Sequence, residues 1–545
     1  MDHADLLITG GTIVDGSGRP GRRRGSIAVH GDRLRIIPAD AAAGAPDVDR
    51  GADLPPAARH IDATGLVVAP GFIDLHSHSG LMILADPLHE PKVRQGVTTE
   101  VIGVDGNAYA PFRRAEDLKA FVELNAGLDG TPDLTYDWDT VASYLSRFDR
   151  RVSVNLCFLV GNSALRIDAL GWDDIPADQP ALDRMRGLLR ESMEEGAFGV
   201  SSGLDYPPGA FASTDELAAL TAEAAALDGI YHTHVRYALG DRFLDPFREA
   251  IEIGRQGQGP VHITHFYHRA TYPGTPEQML AMVDDARAEG LDVTFDCYPY
   301  EWASTRLLIM LPPWVQAGGP APLKERLADP VVRARLREEI GIRGRSYAGA
   351  DPWDDTRLGC FARPENLRWE GRTLGELMTE TGKDVVDAIC DLLLDEDLRI
   401  NQVTPGPWTG GLPPFIRHPV GMIGTDSTFI GAKPSPRTYG SFPRVLGQFV
   451  RDMAVLPLEE AVRKITQAPA QRLGLRDRGL LADGLAADIV MFDPATVRAT
   501  ATYDEPRSFP EGIPYVIVGG ELVVDGGTHT GATPGRALRR GRPDA

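Results

Sequence analysis

The chain has 545 residues, more than an ordinary single domain but suited to a large barrel with appended pieces, and its 43% of hydrophobic residues supplies a sizeable core. A formal net charge of -21 argues against nucleic acid or an anionic membrane surface as partner, because binding phosphate needs a basic face. No apolar run approaches the roughly 20 residues of a membrane helix, and no segment has the layout of a secretion signal. Cys157, Cys297, Cys360 and Cys390 lack the spacing of a disulfide framework or a zinc ribbon, so buried thiols in a cytoplasmic protein are expected.

Asp5 to Ile37 alternates apolar and polar positions between turn signals, which predicts a small antiparallel sheet. The Ala, Pro and Asp-rich stretch from Ala39 to Pro56 predicts a surface loop. Leu66 to Ala69 is apolar, is broken by Pro70-Gly71 and resumes at Phe72-Ile73, reading as one strand buried on both faces. Further strand-like runs follow at Gly96–Gly103, Val152–Val160, Ala197–Ser202, Gly229–His234, Pro260–His265, Val293–Tyr298 and Gly421–Asp426. Helical patterns lie between several of them, at Asp215–Leu227, Phe247–Gly254 and Pro276–Glu289.

Strand and helix in alternation predicts parallel pairing, and eight repeats predict a closed TIM-type (β/α)8 barrel over residues 64–481. The stretch from about 306 to 418, with helical runs at Pro322–Gly341 and Thr373–Asp395, is too long for one crossover. It reads as an insertion before the last barrel strand that covers the barrel mouth. Short strands return at Ala487–Phe492 and Tyr515–Val524, so residues 1–63 and 482–545 predict one small β-sandwich domain built from both termini. The basic, polar end from Gly535 is expected to fray.

Active sites of such barrels sit at the C-terminal strand ends. Taken in order, those ends carry His76 and His78, Asp105, Asn162, Asp205, His234, His265, Tyr298 and Asp426. Core packing does not produce so polar a set, whereas a metal site with a general base and substrate contacts does. His76 and His78, two apart on a strand, point to the same side and form half a metal site. His234 and His265 close their own strands in register with that pair, while His232 and His262, earlier on the same strands, read as structural. His89, His268 and His418 remain loop candidates. Asp426 is either a helix N-cap or a carboxylate that binds metal and accepts a proton from activated water.

The pattern Pro70-Gly71-Phe72-Ile73-Asp74-x-His76-x-His78, with the later histidines and Asp426, resembles the amidohydrolase superfamily. Gly96–Thr99, Gly203–Gly209, Tyr231–Arg236, Asp296–Tyr300 and Arg437–Leu446 resemble its D-aminoacylases, or N-acyl-D-amino-acid deacylases. The resemblance implies a divalent metal at His234 and His265, with His76, His78 and Asp426 around a second or weaker position. One or two ions are implied, Zn2+ first. Where the family places a cysteine this chain has Asp105, a harder ligand that opens the site to Mn2+, Fe2+ or Co2+. No lysine follows the fourth strand, which leaves Asp105, or secondarily Glu100, as the bridging candidate.

Substrate contacts implied by the resemblance are Tyr298, Ser304 and Arg437. Tyr267 stands where the family has a lysine, and Asn162 where it has a histidine. The expected function is hydrolysis of a linear, non-peptide amide in a small molecule such as an N-acyl-D-amino acid. A cyclic-amide hydrolase is the rival reading, and a barrel that binds ligand without hydrolysis is a third. Homo-oligomerisation stays open.

Overall fold

The computed structural model describes residues 3–20, 23–38, 54–237, 243–269, 272–348, 352–406 and 409–541. Eight short strands carry the architecture: β1 (Phe72–Asp74), β2 (Val97–Ile102), β3 (Asn155–Phe158), β4 (Gly199–Gly203), β5 (Ile230–His234), β6 (Val261–Ile263), β7 (Val293–Cys297) and β8 (Gly421–Ile423). They pair in parallel as β1-β2-β3 and as β4-β5-β6-β7-β8, with Val160–Gly161 extending the second sheet beside β4. The two runs meet where Phe198 N donates to Phe158 O at 2.8 Å. Their other ends meet at a parallel bridge between Ser77 and Ser427, where Asp426 N donates to His76 O at 2.8 Å. Every residue of these strands is buried, as expected of parallel strands covered on both faces.

Helices return the chain between strands. Thr214–Ala226 is N-capped by Ser213, and Pro276–Ala288 starts with a capping box between Thr275 and Gln278 and with proline at its first position. Asp245–Gly257 brings the chain back between β5 and β6.

The run expected as one strand from Leu66 to Ile73 is two. Val67–Pro70 pairs antiparallel with Ile489–Phe492, and β1 begins only after Gly71. A Cβ at Gly71 would collide with the side chain of Thr98, so only glycine lets the chain pass from one sheet to the other at this point.

Strands from both chain ends share one continuous path, from Thr528–His529 through Ile489–Phe492 and Val67–Pro70 to Ala4–Thr9 and Ala57–Asp62. The antiparallel sheet expected over Asp5 to Ile37 is present, with Ala4–Thr9, Thr12–Ile13 and Arg33–Pro38 each antiparallel to Arg23–His30. The larger sheet becomes mixed where later strands join it: Ala4–Thr9 runs parallel to Ala57–Asp62, and Thr12–Ile13 to Val67–Pro70. The loop expected over Ala39 to Pro56 lies outside the described residues except for its last three. The C-terminal segment does not fray as far as residue 541. Gly535 N bonds Val152 O, Leu538 N bonds Leu156 O, and Leu538 is buried against the β3 edge.

Between β7 and β8 the chain forms a three-stranded antiparallel sheet, Trp302–Arg306, Asn401–Pro405 and Arg357–Gly359, over helices with their own hydrophobic cluster around Leu323, Leu377, Ile389 and Leu393. Both long helical runs expected here are split. Pro330 holds Asp329 extended between Pro320–Ala328 and Pro330–Ala348. Gly382, in the left-handed region, ends Leu374–Thr381, and Asp384 caps Val385–Asp395.

Candidate metal centre

The strand ends of β1, β2, β5, β6 and β8 bring six side chains to one place. Ligand atoms of His76, His78, Asp105 and Asp426 lie within 4.8 Å of one another, and so do those of Asp105, His234 and His265. Asp105 joins the two groups. Its Oδ2 stands 3.3 Å from His76 Nε2, 3.6 Å from His78 Nε2, 3.7 Å from His234 Nδ1 and 3.8 Å from His265 Nε2. Asp426 Oδ1 lies 3.5 Å from His76 Nε2 and 3.2 Å from His78 Nε2. Asp105, His265 and Asp426 all have positive φ, a costly conformation that turns their side chains inward directly after a strand.

Further groups fix the imidazoles from outside, and the sequence reading assigned none of them this role. His76 Nδ1 lies 3.6 Å from Asp296, His78 Nδ1 3.2 Å from Asp129, His234 Nε2 3.1 Å from Asp205, and His265 Nδ1 2.9 Å from the Tyr237 hydroxyl. Such partners orient ligating histidines and raise their basicity. Asp205 stands among the polar strand-end residues of the sequence analysis but without this role, Asp296 lies within β7, and Asp129, the last residue of the short helix Ala126–Asp129, carries no sequence signal. Asp74 closes the seam: its Oδ1 accepts from the N–H of His76 and of Thr425, while buried Lys92 pairs with its Oδ2. His232 and His262 stack beneath His76 with Asp296, consistent with supporting roles.

Burial depresses an imidazole pKa, yet the carboxylates of Asp105 and Asp426 reverse this at His76 and push it up to about 10. Burial is likewise outweighed at His234, which Asp105 and Asp205 raise to about 9. At His265 burial wins and the pKa falls. Burial would raise Asp426, but Arg437 and His76 hold it down at about 2. Both nitrogens of fully buried His76 lack a hydrogen-bond partner. Two carboxylates among four imidazoles therefore form a buried pocket that favours positive charge, and a divalent cation fits this donor set.

A cavity of about 410 Å3 opens onto His78, Asp105, His234, His265 and Asp426. Tyr267, Tyr298 and Ser304 line it, with Tyr206, Tyr237, Arg269 and the insert's Trp302 and Met310. The Tyr267 and Tyr298 hydroxyls are 2.7 Å apart, and Ser304 Oγ donates to Asn401 at 3.0 Å. Arg437 does not line the cavity. It is fully buried behind Tyr298, paired with Asp426, and donates to Ser304 O at 3.0 Å. Asn162 also lies outside, donating to Gly209 O at 3.0 Å at the start of helix Asn162–Leu170. His89, His268 and His418 engage Glu100, Pro273 O and Asp284, away from the cluster.

Parallel strands presenting imidazoles and carboxylates at their C-terminal ends characterise a metal-dependent barrel enzyme. The profile of the amidohydrolase family matches residues 59–304 and 403–524, and the chain belongs to that family. Within it, the chain belongs with the D-aminoacylases and N-acyl-D-amino-acid deacylases. It is 34% identical to D-aminoacylase of Alcaligenes xylosoxydans xylosoxydans over 98% of either chain, and 34% identical to N-acyl-D-glutamate deacylase of that organism over 99% of this chain and 97% of the other. The crystal structure of N-acyl-D-glutamate deacylase from Bordetella bronchiseptica, complexed with zinc and a phosphonate inhibitor that mimics the tetrahedral intermediate, matches 99% of this chain and 100% of that one, at 31% identity and a TM-score of 0.79.

Proposed function

We propose that this protein hydrolyses a linear, non-peptide amide of the N-acyl-D-amino-acid type. The observation that carries the reading is the convergence of His76, His78, His234 and His265 on Asp105 and Asp426 beside a closed-in cavity. Full-length identity to deacylases of linear substrates supports it over ring hydrolysis.

His76, His78, Asp105, His234, His265 and Asp426 would hold the cation, as one or two ions, with Zn2+ first among the candidates. When bound, a divalent cation polarises a carbonyl and makes hydroxide available near neutral pH. Asp426 Oδ1 accepts a proton from the attacking water and returns it to the departing nitrogen. The Arg437 ion pair keeps that carboxylate ionised and aimed. Tyr298 and Tyr267 donate hydrogen bonds to substrate from the cavity wall, and the insert's strands restrict water at the mouth. We read the eight strands as a closed barrel spanning residues 64–481, with residues 1–63 and 482–545 as a β-sandwich beside it. We place the enzyme in the cytoplasm; no helix among the described residues is long and apolar enough to cross a membrane, and no disulfide joins Cys157, Cys297, Cys360 or Cys390.

The test is a hydrolysis panel of N-acetyl-D-amino acids, their L-enantiomers and hydantoins, run on protein of measured metal content. Release of free D-amino acid is the expected result. Metal-replete protein that leaves every linear amide intact would refute the reading, and cleavage of hydantoins alone would replace it with ring hydrolysis.

A further inference from the structure

Arg269 lies on the cavity wall together with His265 and Tyr267. Its guanidinium carbon is 5.6 Å, 5.7 Å and 5.5 Å from the ring centroids of Tyr237, Tyr267 and Tyr272. Among the described residues its Nη2 reaches only the Tyr267 hydroxyl, at 3.4 Å, and its buried Nε has no hydrogen-bond partner. Among the described residues no carboxylate pairs with it. The neighbouring cations differ: Arg437 is paired with Asp426, and Arg444 grips Glu301 with both terminal nitrogens. Arg269 is half-buried; a guanidinium stays charged at any working pH, and withdrawing even part of it from water without a counter-ion is unfavourable. Aromatic faces offset part of that cost but leave the in-plane N–H donors unused. Those donors match a carboxylate arriving from the cavity.

We propose that Arg269 is the specificity-determining cation of this site and binds the substrate's carboxylate, so that the enzyme selects anionic N-acyl amino acids over their neutral amides. The proposal rests on the deacylase reading above, and it names a residue that the family pattern in this sequence did not single out. The carboxylate has two sources, the α-carboxylate or that of an acidic side chain, and both offer the same chemistry.

The test is by binding, so that it stands apart from turnover. The probes are ketone analogues in which CH2 replaces the scissile N–H: one of N-acetyl-D-methionine with its α-carboxylate free, the same compound as carboxamide, and a glutamate-type analogue with an α-carboxamide and a free side-chain carboxylate. Each is titrated calorimetrically into metal-loaded wild type, Arg269→Met and Arg269→Lys. Wild type is expected to bind at least one carboxylate about tenfold or more tighter than the neutral carboxamide. Arg269→Met abolishes that preference, Arg269→Lys keeps part of it, and the ligand affected identifies the source. Arg269→Gln replaces Arg269→Met should the latter not fold. No carboxylate preference in wild type, or an undiminished one in Arg269→Met or Arg269→Gln, overturns the proposal. A preference that depends on Arg269 in a protein that cleaves no amide would instead refute only the hydrolase reading.

Discussion

Arg437 Nη1 lies 2.9 Å from Asp426 Oδ2, and both side chains are buried. The family resemblance implies Arg437 as a substrate contact. The structure instead sets it on the carboxylate that faces His76 and His78, an ionic approach rather than a well-aligned hydrogen bond. Arg437 thereby tunes the acid. Removing its charge raises the pKa of Asp426, since a nearby cation favours the ionised form. In Arg437→Met the acidic limb of the kcat/KM profile is expected to move to higher pH. An unmoved limb would show that Arg437 does not set the protonation of Asp426.

Asp426→Asn keeps the shape of the side chain and tolerates its positive φ, but cannot take up a proton. Turnover is expected to fall by about a hundredfold to ten-thousandfold. Circular dichroism should show an unchanged fold, with most bound metal retained on the remaining five ligands. A near-wild-type rate would remove Asp426 from the proton transfer.

Asp105 Oδ2 faces all four imidazoles, so its loss should be felt as metal affinity before anything else. Asp105→Asn, again suited to the left-handed backbone, is expected to weaken divalent-ion binding by about tenfold or more, read by elemental analysis after dialysis against a chelator series. Full retention of metal would mean that the histidines alone hold it.

Glu100 is fully buried beside His89, 3.0 Å away, and Lys92, 3.5 Å away. Burial works against its ionisation, but His89, Lys92 and the Ser79 hydroxyl beside it prevail and lower its pKa from 4.5 to about 2. Because the folded-state value lies below the unfolded one, its contribution is complete above pH 4.5 and is lost as the pH falls through about 2. Glu100→Gln is expected to destabilise the protein by about 3 kcal/mol at neutral pH, because Lys92 loses an acidic partner in the interior. The variant's stability should also fall less steeply with acid than that of wild type in urea titrations across this range. An equal slope in both proteins would exclude Glu100 as the titrating group.

The sequence alone determined the strand order and the residues that meet at one rim. Buried parallel strands are written as apolar runs of fixed period, and a polar residue closing such a run has few roles other than chemistry. His76, His78, Asp105, His234, His265 and Asp426 were legible for that reason, each from its own few neighbours. Only the tertiary structure decided what stands behind them. Asp129 reaches His78, Arg437 turns to Asp426 and away from the cavity, and Arg269 meets a ring of tyrosines with no acid opposite among the described residues. Gly71 likewise hands the chain from one sheet to another within a single apolar run. These are pairings between side chains far apart in sequence, set by how loops cross the barrel mouth and which charge finds a partner there. Periodicity records which face of an element is buried, not which distant residue it is buried against.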